Sequence, residues 1–495
     1  MRPWQIRGLF LFFAVLNCCT QLASSSYLCV RHLQNSPSSV RHHVVNCNER
    51  RLDRRDTNST SAIVVDFTCR ASDQECDQAN KTFTTASQLL SSVLRLETPI
   101  RVNASYLSFC DNFDDCGVRY NNGTLNIGQA YPTVSYLMTD PTDNMTRMYP
   151  QAVLKQYTHQ LPGQPEWTTY DISAQFNSDV QWYFEDNDAT MDDNHLDFLR
   201  TVMHEFVHGL GFVSAWSDKE YWRFERFASS YVKPFLTPMP LDPPNELSDV
   251  SLSADSDEGV QPYYGYVEFP LDRFLHATQT NLAFSEVTAA LNAWGDANIM
   301  FQSMVDMVNA WCTQPDLAAQ AETVYNASTQ PRGVYAILPD VDDILLLETT
   351  FSPFSSGTTL SHVDHATYST TGDYLMIYDS PRGVTFDAMV ARYSVPLGPL
   401  LVRTLASFGY ALQDGYNGTT LRPRLSFWDP PSDLVGTTSN PSPAVSIHAD
   451  GPASIPSSSS LSASSSTSST PSRRSFSGYV AFTLLLAFAI IILLL

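Results

Sequence analysis

Positive charge is scarce in this chain: 29 Lys and Arg stand against 51 Asp and Glu, a formal net charge of −22 over 495 residues. That balance argues against nucleic acid and anionic lipid as partners, since both recruit clustered cations. Cysteine thins out along the chain. Of nine, Cys18 and Cys19 sit in the leader, six run from Cys29 to Cys116, and Cys312 alone follows. There is no internal repeat. A basic tail is also missing after the last apolar run, which bears on how the chain meets a membrane.

Both ends read as processing signals. Arg2 and Arg7 precede an apolar run at 9–16 and small residues at 23–26, so residues 1–26 are expected to be a secretory signal peptide. The cysteines that remain suit an oxidising compartment. Spacing alone does not fix the pairings; Cys69–Cys76 and Cys110–Cys116 are the short-loop options, which would leave Cys312 as the odd thiol. Sequons stand at Asn58, Asn80, Asn103, Asn122, Asn144, Asn326 and Asn417, which suits segments facing solvent in the secretory pathway. Residues 429–475 are rich in Ser, Thr and Pro and cannot bury a core, so they form a stalk. Residues 476–495 then end in an apolar tail with Arg473 and Arg474 before it. Small residues around 464–469, a polar spacer and that tail make a GPI-attachment signal; the alternative is a single-pass span. The expected location is the extracellular face of the plasma membrane or the cell wall.

The chemistry is concentrated in residues 201–212, TVMHEFVHGLGF. His204 and His208 are four residues apart, so on a helix their imidazoles share one face and can share a metal ion. Glu205, next to the first ligand, can take a proton from a water on that metal. Asp192, Asp193 and Asn194 offer helix-capping oxygens, and Leu196, Leu199, Met203, Phe206, Val207 and Leu210 supply a buried stripe. Gly209 and Gly211 then weaken the helix and allow a left-handed exit. No second helix carrying Asn and Glu follows, so a third ligand comes from elsewhere. The glycine exit resembles that of the metzincins, whose compact motif would put a third histidine at residue 214, here a serine.

A second signature lies downstream: Ser361-His362-Val363-Asp364-His365, then Gly372-Asp373-Tyr374-Leu375-Met376-Ile377-Tyr378. Together with HExxHGLGF it resembles the leishmanolysin-like zinc metalloproteases, in which a long insertion separates the helix from the third ligand. The resemblance covers about 190–212 and 360–410, with an upstream strand near 170–178. It implies a metzincin-type site with zinc on His204, His208 and His362, and His365 as the alternative third ligand. Met376 matches the methionine of the turn beneath the imidazoles. Tyr378 is either a catalytic helper that donates to an oxyanion or a tyrosine packed in a turn.

The expected fold is α+β and zincin-like: a twisted sheet packed on the HExxH helix, with a C-terminal subdomain across a cleft. Residues 27–95 form a cysteine-containing N-terminal region or a propeptide with paired basics at 50–51 and 54–55. Cys29 is placed either in a disulfide or as a thiolate blocking the metal. Residues 96–212 form the N-terminal catalytic subdomain, with strands at 100–109, 133–138 and 171–176. Residues 213–345 are an insert with helical patterns at 271–294 and 301–311, and 346–428 complete the site. The function expected is a cell-surface zinc endopeptidase acting on proteins or peptides. The alternatives are an inactive zinc-containing surface glycoprotein with an adhesive or wall role, and a hydrolase of non-peptide amides.

Overall fold

The computed structural model describes residues 27–428, except 37–38, 48–61, 117–125, 164, 166, 186–189, 229–231, 242–260, 296–299 and 341–343. The leader, the paired basics, the stalk and the C-terminal tail lie outside the described residues. The chain enters as a hairpin of β1 (Leu28–Ser36) and β2 (Ser39–Asn46). It then runs through β3 (Ile63–Cys69), helix α1 (Asp73–Val93), β4 (Ile100–Leu107), β5 (Gly128–Pro132), β6 (Val134–Asp140), β7 (Met145–Pro150) and β8 (Ile172–Asn177) to helix α2 (Phe198–Gly209). The architecture is α+β.

Two sheets organise this part. In the first, β1 lies between β2 and β6, and β7 pairs with β6. In the second, the order is β3-β4-β8-β5; the first three strands are parallel and β5 runs antiparallel at the end. Strand alternation decides which face is covered. On β4, Ile100, Val102, Ala104 and Tyr106 are fully buried while Asn103 is exposed. The covered face carries α1 and α2, which meet through Phe83 against Phe198 and Phe206. Helix α1 starts where Ser72 and Glu75 form a reciprocal capping box.

Residues 63–95 thus supply an end strand and a packing helix to the same core as the histidine helix, so the expected break after residue 95 falls inside a continuous core. Disulfides join Cys29–Cys47, Cys69–Cys76 and Cys110–Cys116. Cys29 is therefore no free thiolate and cannot block a metal, which removes the second option considered for it. Cys312 is free and exposed. The five described sequon asparagines, Asn80, Asn103, Asn144, Asn326 and Asn417, are all exposed. No helix among the described residues is long and apolar enough to cross a membrane.

Several expected boundaries move for local reasons. The strand beginning at Ile100 stops at Leu107 because Ser108 caps a short helix, Phe109–Phe113. The second and third expected strands run Val134–Asp140 and Ile172–Asn177. In the insert, the helix expected from 271 begins as a 3-10 turn, Asp272–Phe274, and strand β9 (Leu275–Ala277). The insert's helices are α3 (Lys219–Ala228), α4 (Phe284–Gly295), α5 (Met304–Cys312) and α6 (Pro315–Ser328), with strands β10 (Val334–Ile337) and β11 (Ile344–Leu346) pairing beside β9. It is tied to β7 by a fully buried ion pair, Arg147 Nε to Glu268 Oε2 at 3.1 Å, backed by Ser285 and Thr288 hydroxyls on the Glu268 carboxylate. The C-terminal part then adds the short helix α7 (His365–Tyr368), a 3-10 turn Tyr374–Met376, α8 (Phe386–Tyr393) and α9 (Pro399–Phe408).

Candidate metal centre

Helix α2 starts later than the acidic run at 192–194 suggested. Asp192 turns its carboxylate onto the Asn194 N–H at 3.0 Å, a local Asx turn that competes with capping. Leu196 and Asp197 instead pair in parallel with Trp182 and Tyr183. Asp197 is the N-cap: one carboxylate oxygen accepts from Arg200 N at 2.7 Å, the other from Phe386 N at 2.9 Å at the start of α8. One residue thereby fixes both the histidine helix and the segment after the methionine turn. Every residue of α2 is buried. Gly209 is required by contact, because a Cβ there would lie 2.3 Å from Ile172 of β8. Gly211, at φ +114°, provides the left-handed exit.

Three imidazoles converge. The Nε2 atoms of His204, His208 and His362 lie 3.1 Å, 3.2 Å and 3.3 Å from one another. Each ring's Nδ1 is within hydrogen-bond range of a backbone carbonyl: His204 to Leu375 at 2.7 Å, His208 to Phe212 at 2.8 Å and His362 to Thr358 at 2.9 Å. A carbonyl only accepts, so each Nδ1 carries the proton and donates, and each neutral ring keeps its lone pair at Nε2. Three lone pairs aimed at one point repel unless a cation lies between them. The triangle is also small enough for one ion to reach all three at the usual metal–nitrogen distance of about 2.0–2.1 Å. Burial, above all, holds the rings neutral, lowering His208 to about 3, His362 to about 4 and His204 well below the ordinary histidine value. These three residues can hold a metal ion.

Glu205 is buried beside them. Its carboxyl is pushed up to about 8 by burial, opposed by a hydrogen bond from the Ala130 backbone N–H of β5. Gly128, on the same strand, leaves the room this carboxylate uses: a Cβ there would come within 3.2 Å of Glu205 Cγ and Oε1. Met376 is fully buried in the turn whose Leu375 carbonyl orients His204, and its own carbonyl accepts from Val363 N at 2.9 Å. His365 does not join the three converging rings. It opens α7, and its ring lies against Tyr378, centroids 5.4 Å apart. Tyr378 is 43% exposed and also packs edge-on against Phe351 at 4.9 Å. At residue 214, where the compact motif would put a ligand, Ser214 donates through its hydroxyl to Asp272 at 2.6 Å, and through its N–H to Ser361 Oγ at 3.2 Å.

Sequence reasoning missed four contributors. Asp197 followed three residues later by Arg200 was a readable cap. Arg200 itself is buried and clamps the chain beyond the methionine turn, donating to Ser380 Oγ at 2.6 Å and the Asp379 carbonyl at 2.9 Å. Ala130 gave no local signal, and neither did Glu348, whose carboxylate accepts from His365 N at 3.2 Å beside the His362 loop.

The profile of the SPBPB7E8-like family matches residues 21–448. The chain belongs to that family. It is 25% identical over 399 residues to "Uncharacterized protein PB7E8.01" of Schizosaccharomyces pombe, a match covering 75% of this chain and 66% of the relative. No solved structure matches it.

Proposed function

We propose that this SPBPB7E8-like chain is a zinc metallopeptidase acting outside the cell, with the metal on His204, His208 and His362 and Glu205 as general base. The observation that carries the proposal is the convergence of three proton-free Nε2 atoms beside a buried carboxylate. Neutral nitrogen donors in a three-ligand set suit zinc and leave a coordination position for water. When bound, zinc supplies an electrophile that activates water and polarises a carbonyl.

The remaining work belongs to the chain. A cation held by the three imidazoles would favour the ionised form of Glu205, which then accepts the proton of the attacking water and delivers it to the departing amine, and the Ala130 N–H keeps its carboxylate aimed from β5. The three backbone carbonyls hold each imidazole in one tautomer. Strand β5 ends its sheet directly over α2, and an extended peptide can pair with such an edge through its backbone. The end-strand-over-helix arrangement and the methionine turn support the zincin reading of the fold. The exposed sequons and the three disulfides support passage through an oxidising secretory route, and a GPI-attached form is proposed on the sequence of the tail.

The test is Glu205→Gln. Gln preserves shape but cannot take the proton, so hydrolysis of a mixed peptide library should fall about 10²–10⁴-fold while zinc measured by mass spectrometry stays at wild-type stoichiometry. Peptide hydrolysis that survives this change would remove the mechanism.

A further inference from the structure

We infer that Glu348 is a positioning residue: its buried side chain fixes the loop that presents His362, a role that rests on the metal-site reading above. Glu348 lies two residues beyond β11, where the chain leaves the insert. It is fully buried, a costly place for a carboxylate unless donors surround it. They do. Oε1 accepts from both the N–H (2.8 Å) and the hydroxyl of Thr350, and Oε2 accepts from His365 N at 3.2 Å. The backbone adds two bonds from the same residue: Glu348 N donates to the His362 carbonyl at 2.8 Å, and Leu360 N donates to the Glu348 carbonyl at 3.1 Å.

These bonds bracket His362. Leu360 lies two residues before it, His365 three after, and the His362 carbonyl lies between. One residue thus touches the loop before, at and after its ligand. His204 and His208 need no such device, because α2 sets their spacing. His362 otherwise has the Thr358 carbonyl on its ring, and its neighbours are tied by the Val363 N–H to Met376, the Asp364 N–H to the Leu346 carbonyl at 3.0 Å and the Ser214 N–H to Ser361 Oγ. The loop sits on three bonds from Glu348, two through its backbone and one through its carboxylate, whose other oxygen is tied to Thr350. Metal affinity should depend on that side chain although it touches no metal.

The experiment compares Glu348→Ala, Glu348→Gln, Thr350→Val and His208→Ala with wild type, using zinc competition against a chromophoric chelator and the visible spectrum of the cobalt-substituted protein. Loss of partners behind a metal ligand typically costs about 10–100-fold in affinity. Glu348→Ala should lose that much and shift the cobalt bands. Glu348→Gln should fall between, because its oxygen serves the Thr350 pair while its amide opposes the His365 N–H. Thr350→Val, which keeps the carboxylate and the fold, should weaken zinc several-fold in the same direction, and it keeps the inference testable if Glu348→Ala fails to fold. Arg147→Met, a destabilised variant whose partners Glu268, Asp143 and Ser285 include none of the ligands, controls for general loss of stability.

Wild-type affinity and unchanged cobalt bands in Glu348→Ala, with zinc lost in His208→Ala, would overturn the positioning role and leave the metal site standing. An equal zinc loss in Arg147→Met would also overturn it, by reducing the effect to stability. A wild-type protein that takes up no zinc would remove the site itself.

Discussion

His204 and His208 reach the candidate metal centre by a different route from His362. The first two are one helical turn apart, and once α2 forms nothing else is needed to bring them together. The third arrives from 154 residues beyond His208, on irregular backbone, and is held by Glu348, Thr358 and Met376. A helical pair is a property of local geometry; a distant ligand is a property of the whole fold. The contrast predicts where each half of the centre can be broken.

The largest effect should come from the ligands. His362→Ala should empty the site as fully as His208→Ala, since a three-ligand set has no spare donor, and hydrolysis should vanish with the zinc. His365→Ala should leave zinc content unchanged, because its ring lies against Tyr378 rather than among the three nitrogens. Zinc retained in His362→Ala but lost in His365→Ala would reverse the assignment.

The same contrast explains how much could be read in advance. HExxH spacing, the glycine exit, the short disulfide loops and most strand cores follow from neighbours in sequence, and all recur in the structure. The start of α2 was misplaced because three consecutive polar residues at 192–194 look like caps. Asp192 spends its carboxylate on Asn194, and the single Asp197 caps instead. Glu348 was invisible because its partners lie at 350, 360, 362 and 365 around a loop with no periodicity. The insert looked separable because its patterns are self-contained, whereas Arg147 of β7 reaches into it to meet Glu268.

That buried pair gives the next largest effect. Arg147→Met leaves the Glu268 carboxylate buried with only the Ser285 and Thr288 hydroxyls, and such breaks cost about 3–5 kcal/mol. Denaturant unfolding should show this loss. Adding Glu268→Gln should restore most of it, since an amide needs no counter-charge. Additive loss in the double variant would mean that the pair does not join the insert to β7 as a unit.

The most gradual effect lies where the insert meets the exit of α2, and it depends on pH. Asp272 is fully buried and takes three donors: Ala215 N at 2.9 Å and Phe269 N at 2.8 Å on one oxygen, and the Ser214 hydroxyl on the other. Burial first, then the Glu268 charge, pushes its carboxyl up to about 7, against the lowering effect of those donors. A carboxyl raised in the folded state keeps a proton that the unfolded chain has already released. Its stabilising contribution is complete below the ordinary Asp value of 3.8, and is lost as pH rises through about 7. Over that window one extra bound proton tilts stability downward by about 1.4 kcal/mol per pH unit. Asp272→Asn should remove the slope without breaking the junction. Its carbonyl can accept from both backbone N–H groups, and its amide can donate to Ser214, whose hydroxyl turns to accept. Unfolding free energies measured from pH 4.5 to 8 should therefore show a flatter profile in Asp272→Asn and a more stable variant at pH 8. If the variant's slope matched that of the wild type, the proton would have to be assigned to another buried group.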